Sequence, residues 1–331
     1  MGLKVVNRKA KDVNENIDLG TKLGPLSLPA PVLTASGCAG SGKELAAFFD
    51  LSKIGAVVTK SIMMNPRSGR ATPRMSETPS GMLNSIGLQG PGVEAFMNDD
   101  VPWLAKTGAR IIVSIAGNDV EEFARTATRV RRAGEVISAI EVNISCPNVS
   151  NRGLVFACDQ GSAGEVISAV RRAVGSQFPI FAKLSPDVTD LVAIAKSCIE
   201  AGATGLAMIN TMLGMVMDTT TMRPKVAGIT GGLSGPAIRP VGVRAVWQVH
   251  AALPSVPIIG MGGIMTGNDA LEYILAGASA VSVGTAIFHD PGAPLRIQNE
   301  LSHLLSERGF TSLTEAIAFG HRKIVDPDDR A

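Results

Sequence analysis

The chain has 331 residues, 45% of them hydrophobic and 18% charged, which is enough apolar material for a large folded domain and excludes a disordered chain. Its 31 Lys and Arg against 29 Asp and Glu leave a formal charge of +2, without the basic excess that nucleic-acid binding needs. No run of about 20 apolar residues occurs, because Gly and Ser interrupt even the stretch 273–288, and the first 20 residues hold no apolar leader core, so a cytoplasmic chain with no membrane segment is expected.

In chain order, residues 1–16 read as a polar tail and 17–31 as a hairpin that plugs a barrel floor. Eight short, β-branched runs follow, at 31–36, 56–60, 110–116, 139–145, 179–185, 205–210, 257–263 and 280–286. Amphipathic helical stretches at 119–133, 162–174, 188–201, 240–252 and 268–276 separate most of them. Strands alternating with helices predict a parallel sheet, and eight such units predict a (β/α)₈ TIM barrel spanning 17–310, with 311–331 as a C-terminal extension. An open doubly wound sheet is the alternative, but the G-x-G-x-x-G turn after the first strand is missing. Two connections, 61–108 and 211–237, exceed a simple crossover and read as long loops at the C-terminal face, where barrel enzymes build their sites.

The glycine pairs of GMGGI (260–264) and VSVGT (281–285) end the seventh and eighth strands. Backbone N–H groups there form a nest for a phosphate, although glycines also serve tight turns. Lys60 and Lys183 each end a predicted strand at the same face, a costly place for a cation unless an anion or polar ligand meets it. Amides and hydroxyls at Asn84, Ser85, Asn143, Asn210 and Thr211 suit a flat polar ring with carbonyls and N–H groups. Of the four cysteines (38, 146, 158 and 198), none has metal-ligand spacing, so no metal is expected. Cys146, just past the fourth strand, can act as a nucleophile or a proton acceptor, while Cys38, Cys158 and Cys198 read as small buried apolar residues. The four histidines all fall in the last quarter of the chain, away from these loops.

Taken together, VVTKS (57–61), PSGMLNSIGLQ (79–89), NISCPN (143–148), INT (209–211), GGLSGP (231–236) and GMGG (260–263) resemble the dihydroorotate dehydrogenases over residues 18 to 305. The PSGMLN and GGLSGP stretches are similar to the NAD-linked cytosolic subgroup. The resemblance implies FMN held by Ser36, Lys60, Ser61, Ser114, Asn143, Lys183, Ile209, Gly235, Gly262, Gly263, Gly284 and Thr285. It implies dihydroorotate held by Lys60, Asn84, Ser85, Ile86, Gly87, Leu88, Asn143, Asn210 and Thr211, with Cys146 as the base. The family usually shows Asn where this chain has Ser114, a shorter side chain without an amide donor. A homodimer is expected, and a partner subunit carrying FAD and a [2Fe–2S] cluster would pass electrons on to NAD. The alternatives are fumarate as acceptor, a related FMN enzyme that reduces pyrimidines, and a non-redox phosphate-binding barrel such as an aldolase or epimerase.

Overall fold

The computed structural model describes residues 17–145 and 159–322. Eight parallel strands form one sheet: β1 (Val32–Thr34), β2 (Val57–Val58), β3 (Ile111–Ile115), β4 (Ala139–Asn143), β5 (Ile180–Lys183), β6 (Gly205–Met208), β7 (Ile258–Met261) and β8 (Ala280–Val283). Each pairs with its successor from β2 to β8, and β8 pairs with β1. A bridge between Leu33 and Ala56 brings β1 to the edge of β2 and closes the ring. This is the (β/α)₈ barrel expected, and all eight strands fall inside their predicted runs.

Helices Val120–Arg131, Gln160–Val174, Leu191–Glu200, Arg239–Ala252 and Gly267–Leu275 follow β3, β4, β5, β6 and β7. Three begin on an aspartate whose carboxylate accepts a backbone N–H of the first turn: Asp119 from Glu122, Asp159 from Ser162 and Asp190 from Ala193. Thr266 and Asp269 form a reciprocal capping box at the start of Gly267–Leu275. The helices bury their apolar stripes on the outward-facing residues of the strands, among them Val57, Ile111, Val113, Ile140 and Val142.

The inward-facing residues make a second, smaller core of Leu33, Val58, Ile112, Ala139, Phe181, Ala207, Ile259 and Ala280. Residues 17–31 do form a floor hairpin, Thr21–Leu23 paired with Leu26–Leu28. Its Leu23 and Leu28 are buried in this inner core and seal the N-terminal end. From the C-terminal part of the chain, Leu313 and Ala316 are fully buried against the outer core, and the Leu313 N–H donates to the Asp18 carbonyl just before the hairpin.

The two long connections depart from the loops expected. They meet in a four-stranded antiparallel sheet in the order Met212–Gly214, Gly231–Ser234, Gly81–Asn84, Met75–Thr78. The joining pair, Gly232 with Asn84 and Ser234 with Met82, links segments about 150 residues apart. No local hydrophobic alternation announces it. Gly231 is required for the approach, since a Cβ there would lie 2.4 Å from the Asn84 carbonyl oxygen. Among the described residues, no helix is long and apolar enough to cross a membrane.

Because Leu23 is fully buried between the hairpin and the inner core, Leu23→Ala should lower the unfolding free energy by about 2–5 kcal/mol. Urea unfolding followed by circular dichroism measures it, and a change below about 0.5 kcal/mol would mean that the hairpin does not seal the barrel.

Candidate active site

Strand alternation decides which side chains reach the C-terminal mouth. On β4 the inward series is Ala139, Glu141, Asn143, and on β5 it is Phe181, Lys183, apolar at the floor and polar toward the mouth. Register sets Glu141 beside Ser114 on one neighbour and beside Phe181 on the other, with Asn143 beside Lys183. Over these residues lies a cavity of about 380 Å³, roofed by the four-stranded sheet through Met75, Met82, Asn84, Gly232 and Ser234.

The cavity brings together most of the residues singled out from the sequence. Ser36, Lys60, Ser61, Asn143, Lys183, Ile209, Gly235, Gly262, Gly263, Gly284 and Thr285 line it, and so do Asn84, Ile86, Gly87, Leu88, Asn210 and Thr211. Ser114 and Ser85 do not. Ser114 is fully buried one layer below the mouth, and its hydroxyl donates to Glu141 Oε1 (2.9 Å) and lies 2.9 Å from Ser61 Oγ. The short side chain spends its reach on those partners. Ser85 is also buried, beneath the Asn84 strand end. Cys146, Asn148 and Cys158 lie outside the described residues, as does the tail 1–16.

Three distinct surfaces make up the wall. The first is a glycine cradle: Gly235, Gly262 and Gly263 have φ of 95°, 121° and 71°, and a Cβ on Gly263 would come within 2.7 Å of the Gly235 carbonyl oxygen. Beside it, the Thr285 hydroxyl donates to Ser234 Oγ at 2.7 Å. The second is an amide cluster, in which Asn143 Nδ2 donates to Ser61 Oγ (2.9 Å) and Asn210 Nδ2 to Ser145 Oγ (2.7 Å). Asn84 Nδ2 donates to the Gly232 carbonyl at 3.1 Å, which fixes it on the roof. The third is cationic. Lys183 is 3% exposed, and its ammonium donates to Ser36 Oγ at 2.8 Å.

Glu141 escaped the sequence reading. It is 2% exposed and accepts from Ser36 Oγ at 2.6 Å, with Lys183 Nζ 3.7 Å from the same oxygen. Its signal was available: a carboxylate at the inward position of an otherwise apolar strand, between Ala139 and Asn143, must meet buried partners. Cys38 also lines the cavity. Burial pushes its thiol up to about 11, against the pull of the Lys183 and Lys60 charges, so it stays protonated at neutral pH.

Fold and site together define a barrel enzyme whose C-terminal cavity pairs a glycine cradle with a buried cation and a row of amides. A family model for dihydroorotate dehydrogenase matches residues 18–305. A protein of Geotalea daltonii named dihydroorotate dehydrogenase B (NAD(+)), catalytic subunit, is 48% identical over 300 residues, which cover 91% of this chain and 97% of that one. One of the same name from Pelobacter propionicus is 49% identical over the same shares. The chain belongs to the dihydroorotate dehydrogenase family, whose members are FMN-dependent oxidoreductases of pyrimidine biosynthesis.

A thiol pushed to about 11 is about 0.1% ionised at pH 8. Cys38 should therefore alkylate with iodoacetamide on the order of 100-fold more slowly than free cysteine, speeding up about tenfold per pH unit. Peptide mass spectrometry across pH 7–10 reads this, and a rate like that of free cysteine would mean that the lysine charges outweigh burial.

Proposed function

We propose that this chain is the FMN-bearing catalytic subunit of an NAD-linked dihydroorotate dehydrogenase, converting dihydroorotate to orotate. The observation that carries it is the joining, in one cavity, of the glycine cradle at Gly235, Gly262 and Gly263 with Lys183 and the three asparagines.

The residues suit a flavin mononucleotide on their own chemistry. Gly235, Gly262 and Gly263 line the cavity in positive-φ conformations that side chains rarely adopt, and so present bare backbone there, as a phosphate nest requires. Gly284 and the Thr285 hydroxyl extend it. Lys183, Ser61, Asn143 and Lys60 supply a cation and donors for a ring edge rich in acceptors. When bound, FMN supplies a two-electron acceptor for the hydride that leaves C6 of the substrate ring.

This chain's own residues do the rest. Cys146 takes the proton from C5, so that the substrate loses one hydride and one proton and gains a ring double bond. Asn84, Asn143 and Asn210 converge from roof and barrel to bind the ring amides and carboxylate, aided by Thr211 and Lys60. Lys183 offsets the negative charge that develops on the cofactor side during transfer. The roof sheet, built from both long connections, shields the reacting ring from water.

The subunit reading rests on the names of the relatives and on one surface feature. Met215, Met217 and Met222, in the connection after β6, are exposed beside the roof, an adaptable apolar surface suited to a protein partner. That partner, carrying FAD and a [2Fe–2S] cluster, would accept the electrons and deliver them to NAD.

Two measurements test the reading. The purified chain should be yellow, and anaerobic dihydroorotate should bleach its flavin. Cys146→Ala should keep the flavin while bleaching slows by about 10²-fold or more, and Cys146→Ser should recover rate only at raised pH, a hydroxyl being a far weaker acid. Wild-type bleaching in the alanine variant would remove Cys146 from the reaction, and a colourless chain that does not take up FMN would overturn the assignment. Second, the isolated chain should reduce artificial dyes but not NAD until the partner is added. Rapid NAD reduction by the chain alone overturns the two-subunit reading, rapid turnover with fumarate moves the chain to the single-subunit type, and turnover of uracil in place of dihydroorotate moves it to the pyrimidine-reducing enzymes.

A further inference from the structure

A continuous polar chain runs along the cavity wall and behind it. Lys183 Nζ donates to Ser36 Oγ (2.8 Å), and Ser36 Oγ to Glu141 Oε1 (2.6 Å). Ser114 Oγ donates to the same carboxylate oxygen (2.9 Å) and meets Ser61 Oγ (2.9 Å), which accepts from Asn143 Nδ2 (2.9 Å). Asn143 Oδ1 accepts from Ser145 Oγ (3.2 Å), and Ser145 Oγ from Asn210 Nδ2 (2.7 Å). Charge and hydrogen bonds thus run from the cofactor-side lysine to the substrate-side amides through one carboxylate that does not itself line the cavity. Asp269, also buried, is spoken for by Arg239. Glu141 is the carboxylate paired with Lys183.

We infer that Glu141 is a positioning residue for the reaction, acting through Lys183: it holds the ammonium at the cavity wall and sets how much positive charge that wall presents. The inference rests on the proposed flavin-binding reading. An ammonium buried to 3% exposure is held there at high cost unless a counter-charge stands near, and Glu141 Oε1 at 3.7 Å is that charge. The same carboxylate damps the cation's field. Removing its charge while keeping its shape leaves Lys183 undamped, so a cofactor that gains negative charge on reduction becomes easier to reduce. Removing Lys183 instead takes away the cation through which the carboxylate acts on the cavity.

The test is the reduction equilibrium of FMN in the holoenzyme, titrated with dithionite against a reference dye, so that no dihydroorotate is needed. Glu141→Gln should shift the equilibrium toward the reduced form by about tenfold or more, about 30 mV for two electrons. Glu141→Asp should stay within about threefold of wild type. In a Lys183→Met background the Glu141→Gln shift should vanish, because the cation whose field the carboxylate damps is gone. A merely structural role for Glu141 would give no shift, or the same shift with and without Lys183, and either result overturns the inference. Should Glu141→Gln not fold, Ser36→Ala decides: losing the hydroxyl that joins Lys183 to Glu141 must shift the equilibrium in the wild-type background and not in Lys183→Met, and an unchanged equilibrium or a shift that ignores Lys183 refutes the pairing. A wild-type chain that holds no flavin overturns this inference together with the function it rests on. A yellow chain that dihydroorotate bleaches, but whose equilibrium ignores Glu141, overturns this inference alone.

Discussion

A barrel of parallel strands has an interior that water does not reach, yet this one must present a cation and several amides at its mouth. The pairing of Lys183 with Glu141 across Ser36 is what reconciles the two demands. Transferring either charge alone into such a core costs several kcal/mol, and even a matched pair only roughly breaks even against an apolar replacement. The pair is therefore poor as a stabilising device, and what it does achieve is to hold a cation at the wall of the cavity. Ser36 and Ser114 make it tolerable, because two hydroxyls and an ammonium converge on Glu141 Oε1.

That constraint divides the barrel along its axis. The floor half of the interior is apolar, from Leu23 and Leu28 of the hairpin through Ile112, Ala139 and Phe181. The mouth half is polar, with Ser114, Glu141 and Lys183 two residues further along the same strands and Asn143 four. A one-residue slip in β4 would turn Glu141 and Asn143 into the helix layer and Ile140 and Val142 into the cavity. The apolar floor fixes the register, and the register fixes the site.

How much of this was legible depends on whether the signal is local. Strands such as 111–115 and 139–143 carry their own apolar runs, and helices such as 120–131 carry a cap and a stripe, so the barrel could be read directly. The cradle was legible because Gly262, Gly263 and Gly284 stand at strand ends, where a barrel places its mouth. The roof sheet was not. Gly231–Ser234 and Gly81–Asn84 hold no alternation, and their pairing exists only because the barrel delivers two loops to one place. Glu141 was overlooked for a different reason: a single acidic residue in a strand is visible, but its partners Ser36, Ser114 and Lys183 come from three other strands or their ends. The reach of Ser114 likewise depends on depth within the barrel, which a motif does not encode.

The roof has a consequence for how substrate is held. Asn143 and Asn210 are anchored to the barrel through Ser61 and Ser145, whereas Asn84 belongs to the roof sheet, where its side chain donates to the Gly232 carbonyl. The three amides therefore join roof and barrel on one cavity, so the position of Asn84 relative to the other two depends on how the roof sheet sits. Gly232 controls that joint. A Cβ there would fall 2.1 Å from Thr211 Oγ1 and 3.3 Å from Asn84 Nδ2, so any side chain would push apart the two residues that face each other over the cavity. The absence of a side chain at one roof position thus shapes the cavity as much as the amides do, because it lets segments about 150 residues apart close over it.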